Sequence, residues 1–261
     1  MIGRGEITKA AQRDGVDAQT VERDYVLAHV AAAIGRKGGE QLVLKGGTCL
    51  RLAHYPGYRY SADLDYSVQA MDVAGALDVV ECALEECRER AEFPHLGLAD
   101  DRELLRIEYV GPLGAKTRRI KLDLADDELV LEHADLPIRV EWRDLGDEAG
   151  LCAYTLSEIC AEKLRCVIQR RQCRDVYDLW ALLDDRGGAD LFEAWHRFER
   201  KAVHRGLDPA GFFGRWDEGV DWYGARWETE LGDYLGDDCP DYAAVLRAIE
   251  RRLTELRDYL N

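Results

Sequence analysis

The sequence predicts an α+β fold in which a mixed α and β region precedes a mainly helical region. Short alternating apolar segments stand between helical stretches up to about residue 150. From residue 155 onward only the helical spacing of apolar residues recurs. The 261 residues contain no internal repeat and no low-complexity linker, so this change of pattern is the best candidate boundary. We therefore predict one domain over residues 1–150 and a helical domain over residues 151–261.

The first region is predicted to contain two long helices, separated by short strands and loops, and residues 49–53 are a further candidate helix start. Apolar residues at helical spacing predict helices over residues 7–34 and 73–90. Short apolar or alternating runs predict five strands: residues 41–44, 63–68, 104–110, 118–125 and 138–142. A Gly-Pro-Leu-Gly run predicts a turn that pairs the third and fourth of these strands. Glycine, proline and tyrosine clusters predict loops over residues 54–60 and 94–101.

The second region carries only helical patterns. Four helices are predicted there: residues 156–172, 176–183, 191–201 and 242–260.

Composition and charge exclude several classes of protein. The chain has 35 Lys and Arg against 51 Asp and Glu, a net charge of −16. A chain this acidic is repelled by nucleic acid unless its basic residues are concentrated locally. No apolar run reaches the roughly 18–20 residues that cross a bilayer, and the first residues carry no apolar export segment. We therefore expect a cytoplasmic protein with no membrane partner.

The eight cysteines are scattered, and no two of them have the close spacing of a zinc site. We expect them to be reduced thiols that mostly fill the core.

Two aspartates with a spacing of two residues follow a glycine pair. Asp63 and Asp65 fall on one face of their predicted strand, about 6.6–7 Å apart. Neighbouring carboxylates of this kind suit Mg²⁺, which prefers oxygen ligands and commonly bridges phosphates. Gly46 and Gly47 would let backbone N–H groups approach a phosphate, and Thr48 adds a hydroxyl. The alternative is a glycine turn followed by two solvated aspartates.

A third carboxylate lies on the predicted strand over residues 118–125. Apolar residues occupy its even positions, whereas Arg119, Lys121 and Asp123 share the other face. If this strand neighbours residues 63–68, Asp123 completes a three-carboxylate metal site. The alternative is an exposed charge on an edge strand.

A lysine lies among the apolar residues of the helix predicted over residues 156–172. Lys163 falls inside the apolar arc, whereas Glu158, Arg165 and Gln169 fall roughly opposite. An inward lysine requires an acidic partner or a phosphate in a cleft, unless its amine simply reaches solvent along the helix surface.

The same segment holds the one concentrated run of basic residues in the sequence. Five cations lie within twelve residues: Lys163, Arg165, Arg170, Arg171 and Arg174. Asp175 then stands at the start of the next helix. There it is either part of the site or only a cap of free N–H groups.

These motifs, in this order, resemble AbiEii-type nucleotidyltransferases, which include abortive-infection toxins and the related MenT toxins. Residues 45–48 and 59–65 resemble the first motif of that family. Residues 156–164 and 174–180 resemble its later motifs, and residues 21–27 also fit.

The resemblance implies a polymerase-β-like nucleotidyltransferase domain with a mixed sheet. It also implies transfer from an NTP with Mg²⁺ or Mn²⁺, a cognate antitoxin, and an RNA target such as the 3′ end of tRNA. By motif position, Asp63 and Asp65 bind metal, Asp123 is the third acidic residue, Lys163 contacts the triphosphate, and Asp175 is catalytic or orienting. The implied nucleotide-binding set is Lys45, Gly46, Gly47, Thr48, Lys163 and Arg174.

Two alternatives stay open at this point. In the first, the acceptor is a small molecule instead of RNA. In the second, the chain has lost catalysis and only binds nucleotides or partners. The net charge of −16 favours a small acceptor, whereas the basic run at residues 163–174 favours RNA. The presence of Asp63, Asp65, Lys163 and Asp175 argues against an inactive module.

Ser61 is a candidate regulatory phosphorylation site. It precedes Asp63 by two residues, so strand alternation would place its hydroxyl on the face of the carboxylates. A phosphate there would add about −1.5 to −2 charges and oppose metal and triphosphate binding. The alternative is a serine that hydrogen-bonds within the turn.

Overall fold

The computed structural model describes the following residues: 1–99, 104–114, 116–140, 142–146 and 149–261. The chain divides into two compact units. The first unit holds Met1–Glu128 and His133–Tyr154, and the second holds Leu129–Glu132 and Thr155–Asn261.

The helices of the first unit are α1 (Arg4–Asp14), α2 (Ala18–Gly38), α3 (Gly46–Cys49) and α4 (Val73–Ala91). A wider helical turn over Leu50–His54 continues α3. The single helix predicted over residues 7–34 is wrong, because the chain breaks after α1 and starts a new helix at Ala18. The carboxylate of Asp17 caps that start by accepting a hydrogen bond from the Gln19 N–H at 2.8 Å.

The strands are β1 (Leu42–Lys45), β2 (Asp63–Val68), β3 (His95–Leu98), β4 (Arg106–Val110), β5 (Arg118–Ala125), β6 (His133–Pro137) and β7 (Gly150–Tyr154). They form one sheet in the order β3-β4-β5-β2-β1-β7-β6. β2 pairs with β5 in parallel and β1 with β7 in parallel, whereas the other neighbours are antiparallel. The predicted α+β class with a mixed sheet is confirmed.

Two strand predictions fail near the sheet edges. β3 lies inside the loop predicted over residues 94–101, of which residues 100 and 101 lie outside the described residues. The strand predicted over residues 138–142 is replaced by β6, five residues earlier, and residue 141 also lies outside the described residues. β6 is an edge strand with no buried residue, and only Ala134 and Leu136 give it an apolar alternation, which is too short a signal to detect.

One face of β2 and β5 carries apolar residues of the core of the first unit. Leu64 and Tyr66 of β2 and Ile120 and Leu122 of β5 are buried, and α2 packs against α4, β1 and β7. The alternate residues of β2 and β5 point to the opposite face. This arrangement leaves the charged positions of both strands on the side away from the apolar core.

The second unit is helical throughout. Its helices are α5 (Leu156–Gln169), α6 (Cys173–Trp180), α7 (Leu191–His204), α8 (Phe212–Leu235) and α9 (Tyr242–Leu260). A wider turn over Ala181–Asp185 continues α6. The predicted helices correspond to α5, α6, α7 and α9, but the sequence prediction does not include α8. That helix buries Phe212, Trp216, Tyr223 and Trp227 at helical spacing, between glycines that weaken its helical propensity.

None of the helices in the described ranges is both long and apolar enough to cross a membrane. All eight cysteines lie within those ranges and carry free thiols, and six of them are buried.

Candidate active site

A row of charged residues crosses three neighbouring strands of the first unit. Lys45 of β1 stands opposite Asp65 of β2, and Asp65 stands opposite Asp123 of β5. Directly opposed residues point to the same face of a sheet. Asp63 shares that face because it precedes Asp65 by two residues. β2 and β5 are therefore neighbours in the sheet, as the predicted role of Asp123 requires.

The carboxylates and the lysine of this row differ in exposure. Asp63, Asp65 and Asp123 are half-exposed, whereas Lys45 is 7% exposed. The Lys45 ammonium lies 3.3 Å from Oε1 of Glu128, whose side chain is also buried. The carboxylates can therefore be reached from solvent, while the ammonium is held within the protein.

The glycine pair lets the backbone approach the row closely. Gly46 has φ +71, a left-handed conformation that favours glycine, and a Cβ there would lie 3.1 Å from Oδ2 of Asp65. A Cβ on Gly47 would lie 2.5 Å from a terminal nitrogen of Arg59. The glycine pair forms the start of α3, which begins at Gly46 directly after β1.

Arg59 has no role in the sequence prediction, although it stands four residues before Asp63 in the same motif. Its side chain is 4% exposed and donates a hydrogen bond to the Tyr60 carbonyl at 3.1 Å. It places a cation directly against the glycine pair.

Thr48 fastens the start of β2. Its hydroxyl donates a hydrogen bond of 2.5 Å to the carbonyl oxygen of Asp63, and the residue is 1% exposed. The bond fixes the backbone at the first aspartate, so Thr48 positions the carboxylates whether or not it also meets a nucleotide.

The donor chemistry of the row suits a divalent cation. Carboxylate oxygens are the ligands that Mg²⁺ and Mn²⁺ prefer. Asp65 and Asp123 are like charges on directly opposed positions, an arrangement that a cation between them would relieve. Among the residues that the structure describes, no three His, Cys, Asp or Glu side chains converge as a ready-made metal cage. The fit therefore rests on the kind and placement of the ligands.

A second charged cluster lies within the helical unit. The Lys163 ammonium is 2.7 Å from Oδ1 of Asp175 and 2.7 Å from Oδ2 of Asp178, and all three side chains are buried. Arg170 donates to Oδ2 of Asp175 at 2.9 Å. Burial alone would raise the pKa of Asp175, but the charges of Lys163 and Arg170 outweigh it and hold that pKa below its ordinary value. The inward lysine thus has the acidic partner that its position requires.

Asp175 is not the N-cap of its helix. The N-cap of α6 is Gln172, and the Asp175 carboxylate faces Lys163 and Arg170.

The outer face predicted for α5 is wrong for Glu158 and Arg165, whereas Gln169 is exposed as predicted. Glu158 and Arg165 are buried, because neighbouring parts of the second unit cover this side of the helix as well. The Glu158 carboxylate forms a salt bridge of 2.7 Å with Lys201 of α7, and Arg165 hydrogen-bonds to Gln169.

Acidic side chains of the second unit pair with four cations of the basic run: Lys163, Arg165, Arg170 and Arg171. Arg165 lies 3.4 Å from Glu162, and Arg171 lies 3.2 Å from Glu218. Arg174 donates to the side chain of Gln172 at 2.9 Å. Most of the positive charge that is concentrated in the sequence is therefore paired with acidic residues in the structure.

The site residues fall into the two units as follows. Asp63, Asp65, Asp123, Lys45, Gly46, Gly47 and Thr48 lie in the first unit, and Lys163, Arg174 and Asp175 lie in the second.

Ser61 lies outside β2, which begins at Asp63. Strand alternation therefore gives no reason to place its hydroxyl on the face of the carboxylates, and its phosphorylation stays a prediction.

A model of the family described as nucleotidyl transferase AbiEii toxin, type IV TA system, matches residues 32–251. The chain belongs to this family. It is a nucleotidyltransferase, and the resemblance indicated by the sequence motifs is confirmed.

Two solved structures share the fold of this AbiEii-family chain. MenT4, a nucleotidyltransferase toxin from Mycobacterium tuberculosis H37Rv, is 19% identical with a TM-score of 0.57, over 96% of this chain and 99% of that chain. JHP933 from Helicobacter pylori is 16% identical with a TM-score of 0.51, over 94% of this chain and 100% of that chain. A search of curated protein sequences gives no significant match.

Proposed function

We propose that this AbiEii-family enzyme is a Mg²⁺-dependent toxin that transfers nucleotides from an NTP to RNA. We take the 3′ acceptor end of tRNA as its target, so that transfer blocks translation. The observation that carries the chemistry is the placement of Asp63, Asp65 and Asp123 on one half-exposed face of the sheet. The proposal includes a cognate antitoxin as partner and a cytoplasmic site of action. It also takes residues 1–150 as the nucleotidyltransferase domain and residues 151–261 as the helical domain.

The three aspartates are proposed to hold the metal. When bound there, a divalent cation supplies charge neutralisation of the triphosphate and activation of the acceptor hydroxyl. Asp123 is proposed to accept the proton of that hydroxyl at a carboxylate oxygen. The acceptor oxygen then bonds to the α-phosphorus, and pyrophosphate leaves as the bond to the bridging oxygen breaks.

The glycine segment is proposed to bind the nucleotide. Gly46 and Gly47 carry no side chain that would fill the space beside Asp65 and Arg59, and the Lys45 ammonium stands next in the row. Cations placed in this way stabilise phosphate charge.

In the helical unit, Lys163 and Arg174 are the proposed triphosphate contacts, and Asp175 is the proposed orienting residue. The 2.7 Å contact between Lys163 and Asp175 supports the orienting role, because it restricts the position of the ammonium.

A small-molecule acceptor is the second candidate. The net charge of −16 favours it, and the pairing of the cations at residues 163–174 removes one argument for RNA.

The test incubates the purified protein with Mg²⁺, total RNA and each α-labelled NTP in turn. We expect label on RNA of tRNA size, and none with an Asp65→Ala variant of unchanged circular dichroism. A parallel incubation replaces the RNA with the small molecules of a cell extract, and label found only there would instead establish the second candidate. RNA that stays unlabelled with all four NTPs would contradict the proposal.

A further inference from the structure

The two tyrosines on either side of Arg59 hold its guanidinium in place. Arg59 donates a hydrogen bond of 3.1 Å to the carbonyl oxygen of Tyr60, and its guanidinium lies 5.7 Å from the centre of the Tyr58 ring. All three residues are buried. A guanidinium within about 6 Å of an aromatic face is attracted to that face. The position of Arg59 against the glycine pair therefore depends on where the chain places the two tyrosines.

One buried guanidinium fixes both tyrosines. Arg51 donates to the carbonyl oxygen of Tyr58, and it lies over the Tyr60 ring at 3.8 Å from the ring centre. The same guanidinium also donates to both carboxylate oxygens of Asp24 in α2, at 3.1 Å for Oδ2. Arg51 and Asp24 are both buried, so the ion pair is enclosed. Only the planar fork of arginine can bind a carboxylate with two nitrogens, reach a carbonyl and stack on a ring at once.

The Tyr60 hydroxyl extends this anchoring to α1. It donates a hydrogen bond of 2.6 Å to Oδ2 of Asp14, the last residue of that helix. Tyr60 is thus held at its ring by Arg51 and at its hydroxyl by Asp14. Asp14 and Asp24 precede residue 32, where the match to the family model begins, so both anchors lie outside the matched region.

The segment over residues 55–62 contains no helix or strand. It joins the wider turn after α3 to β2, and it carries Arg59 between the glycine pair and the first aspartate. Because no regular ladder of backbone hydrogen bonds sets its conformation, contacts of its side chains with α1 and α2 fix where Arg59 lies.

We infer that Tyr60 is a positioning residue for nucleotide binding. Its ring contact with Arg51 and its hydroxyl bond to Asp14 hold Arg59 against the glycine pair, so that the cation is in place before the triphosphate arrives. A group that is fixed beforehand loses less conformational freedom when its ligand binds. The inference rests on the proposed function, since it takes the glycine segment as the triphosphate site, but it does not depend on the choice of acceptor.

Tyr25 provides a matched control in the same unit. Its hydroxyl donates to Oδ2 of Asp144 at 2.6 Å, the same length as the bond from Tyr60 to Asp14. Both tyrosines are buried. Substitution by phenylalanine at either position removes one hydrogen bond to an aspartate and keeps the ring, but only Tyr60 adjoins Arg59.

The first experiment titrates each of the four NTPs with Mg²⁺ into the whole chain without an acceptor, and it also records melting temperatures. Tyr60→Phe should weaken NTP binding about fivefold, whereas Tyr25→Phe should stay within about twofold of the wild type. Both variants should melt at temperatures lower by a similar few degrees, because each loses one hydrogen bond. Equal affinities of the two variants would overturn the inference, since Tyr60 would then have only a structural role.

The same variants are compared in steady-state transfer. Tyr60→Phe should raise KM for NTP about fivefold and leave kcat within about twofold of the wild type, because the residue acts on binding and not on the reacting atoms. A fall in kcat at unchanged KM for NTP would overturn the inference.

A third experiment determines whether Tyr60 acts through Arg59. Arg59→Gln should weaken NTP binding about tenfold, and adding Tyr60→Phe to it should change the affinity by less than about twofold. A further fivefold loss in the double variant would overturn the inference, because Tyr60 would then affect the site independently of Arg59.

The wild-type titration distinguishes failure of the inference from failure of the proposed function. If the wild type binds an NTP and Tyr60→Phe binds it equally well, only the inference is wrong. If the wild type binds none of the four NTPs, the proposed function is wrong, and the inference fails with it.

Discussion

The molecule contains two clusters in which lysine and aspartate meet, and they differ in enclosure. On the sheet, neighbouring positions of β1, β2 and β5 hold Lys45, Asp65 and Asp123. Both carboxylates are half-exposed. In the helical unit, Lys163 lies 2.7 Å from each of two buried aspartates, Asp175 and Asp178. Enclosed charges must be neutralised by the protein itself, because water cannot reach them. Half-exposed carboxylates can instead be neutralised by a ligand from solvent.

Residue type alone therefore does not distinguish a structural charge cluster from one that is open to a ligand. The difference in burial predicts opposite effects of substitution in the two clusters. Changes in the enclosed cluster should act first on stability, whereas changes on the sheet face should act first on activity.

The largest expected effect concerns Lys163. Lys163→Ala leaves Asp175 and Asp178 buried with their shared ammonium removed, which should lower the free energy of unfolding by about 3–5 kcal/mol. Urea unfolding measures it. Arg171→Ala is the control, because its pair with Glu218 is exposed and should contribute no more than about 1 kcal/mol. Equal stability of the two variants would show that enclosure does not matter here.

A comparison of Lys163→Ala with Arg165→Ala tests the proposed nucleotide role of Lys163 independently. Nucleotide titration at a temperature where each variant is folded should show weaker NTP binding for Lys163→Ala than for Arg165→Ala, since Arg165 hydrogen-bonds to Gln169 on its own helix. Equal affinities would confine Lys163 to a structural role.

On the sheet face, Asp65→Ala should lower nucleotide transfer by about 10²–10³-fold, comparable to the loss of a transition-state electrostatic contact. Its melting temperature should stay near that of the wild type, because the carboxylate is half-exposed. Near wild-type transfer would remove Asp65 from the proposed metal site.

The pH dependence of stability sharpens the comparison further. The pKa of Asp175 is held below its ordinary value, so its charge stabilises the fold above about pH 4, and this stability is lost as the pH falls through the folded pKa. The difference in unfolding free energy between wild type and Asp175→Asn should therefore be constant from about pH 7 to 5 and should narrow below about pH 4. A difference that stays constant down to pH 3 would contradict this account.

The smallest expected effect concerns the hydrogen bond between the Thr48 hydroxyl and the Asp63 carbonyl at the start of β2. Thr48→Val removes the hydroxyl that donates to the Asp63 carbonyl and should cost about 0.5–1.5 kcal/mol. Thr48→Ser keeps the donor and should retain most of both stability and transfer. If valine and serine give the same transfer rate, the bond does not position the aspartates.

The sequence prediction is most accurate for helices and strands whose hydrophobic pattern is complete within the element itself. β2 and α9 are found at the predicted bounds, because alternation and helical spacing are complete within each segment. β6 is misplaced and β3 is missed, because an edge strand with few buried residues carries little pattern of its own. α8 is missed although its aromatic residues repeat at helical spacing, since four glycines interrupt the helical propensity.

The mixed α and β class, the shared face of Asp63 and Asp65, and the inward position of Lys163 could all be predicted from the sequence. Each of these follows from spacing along a single element, which residue order alone defines. The tertiary structure is needed to show that Asp123 stands opposite Asp65 and that Lys163 and Arg171 have acidic partners. These relations depend on strand register and helix packing, which bring together residues far apart in the chain and set how exposed each charge is.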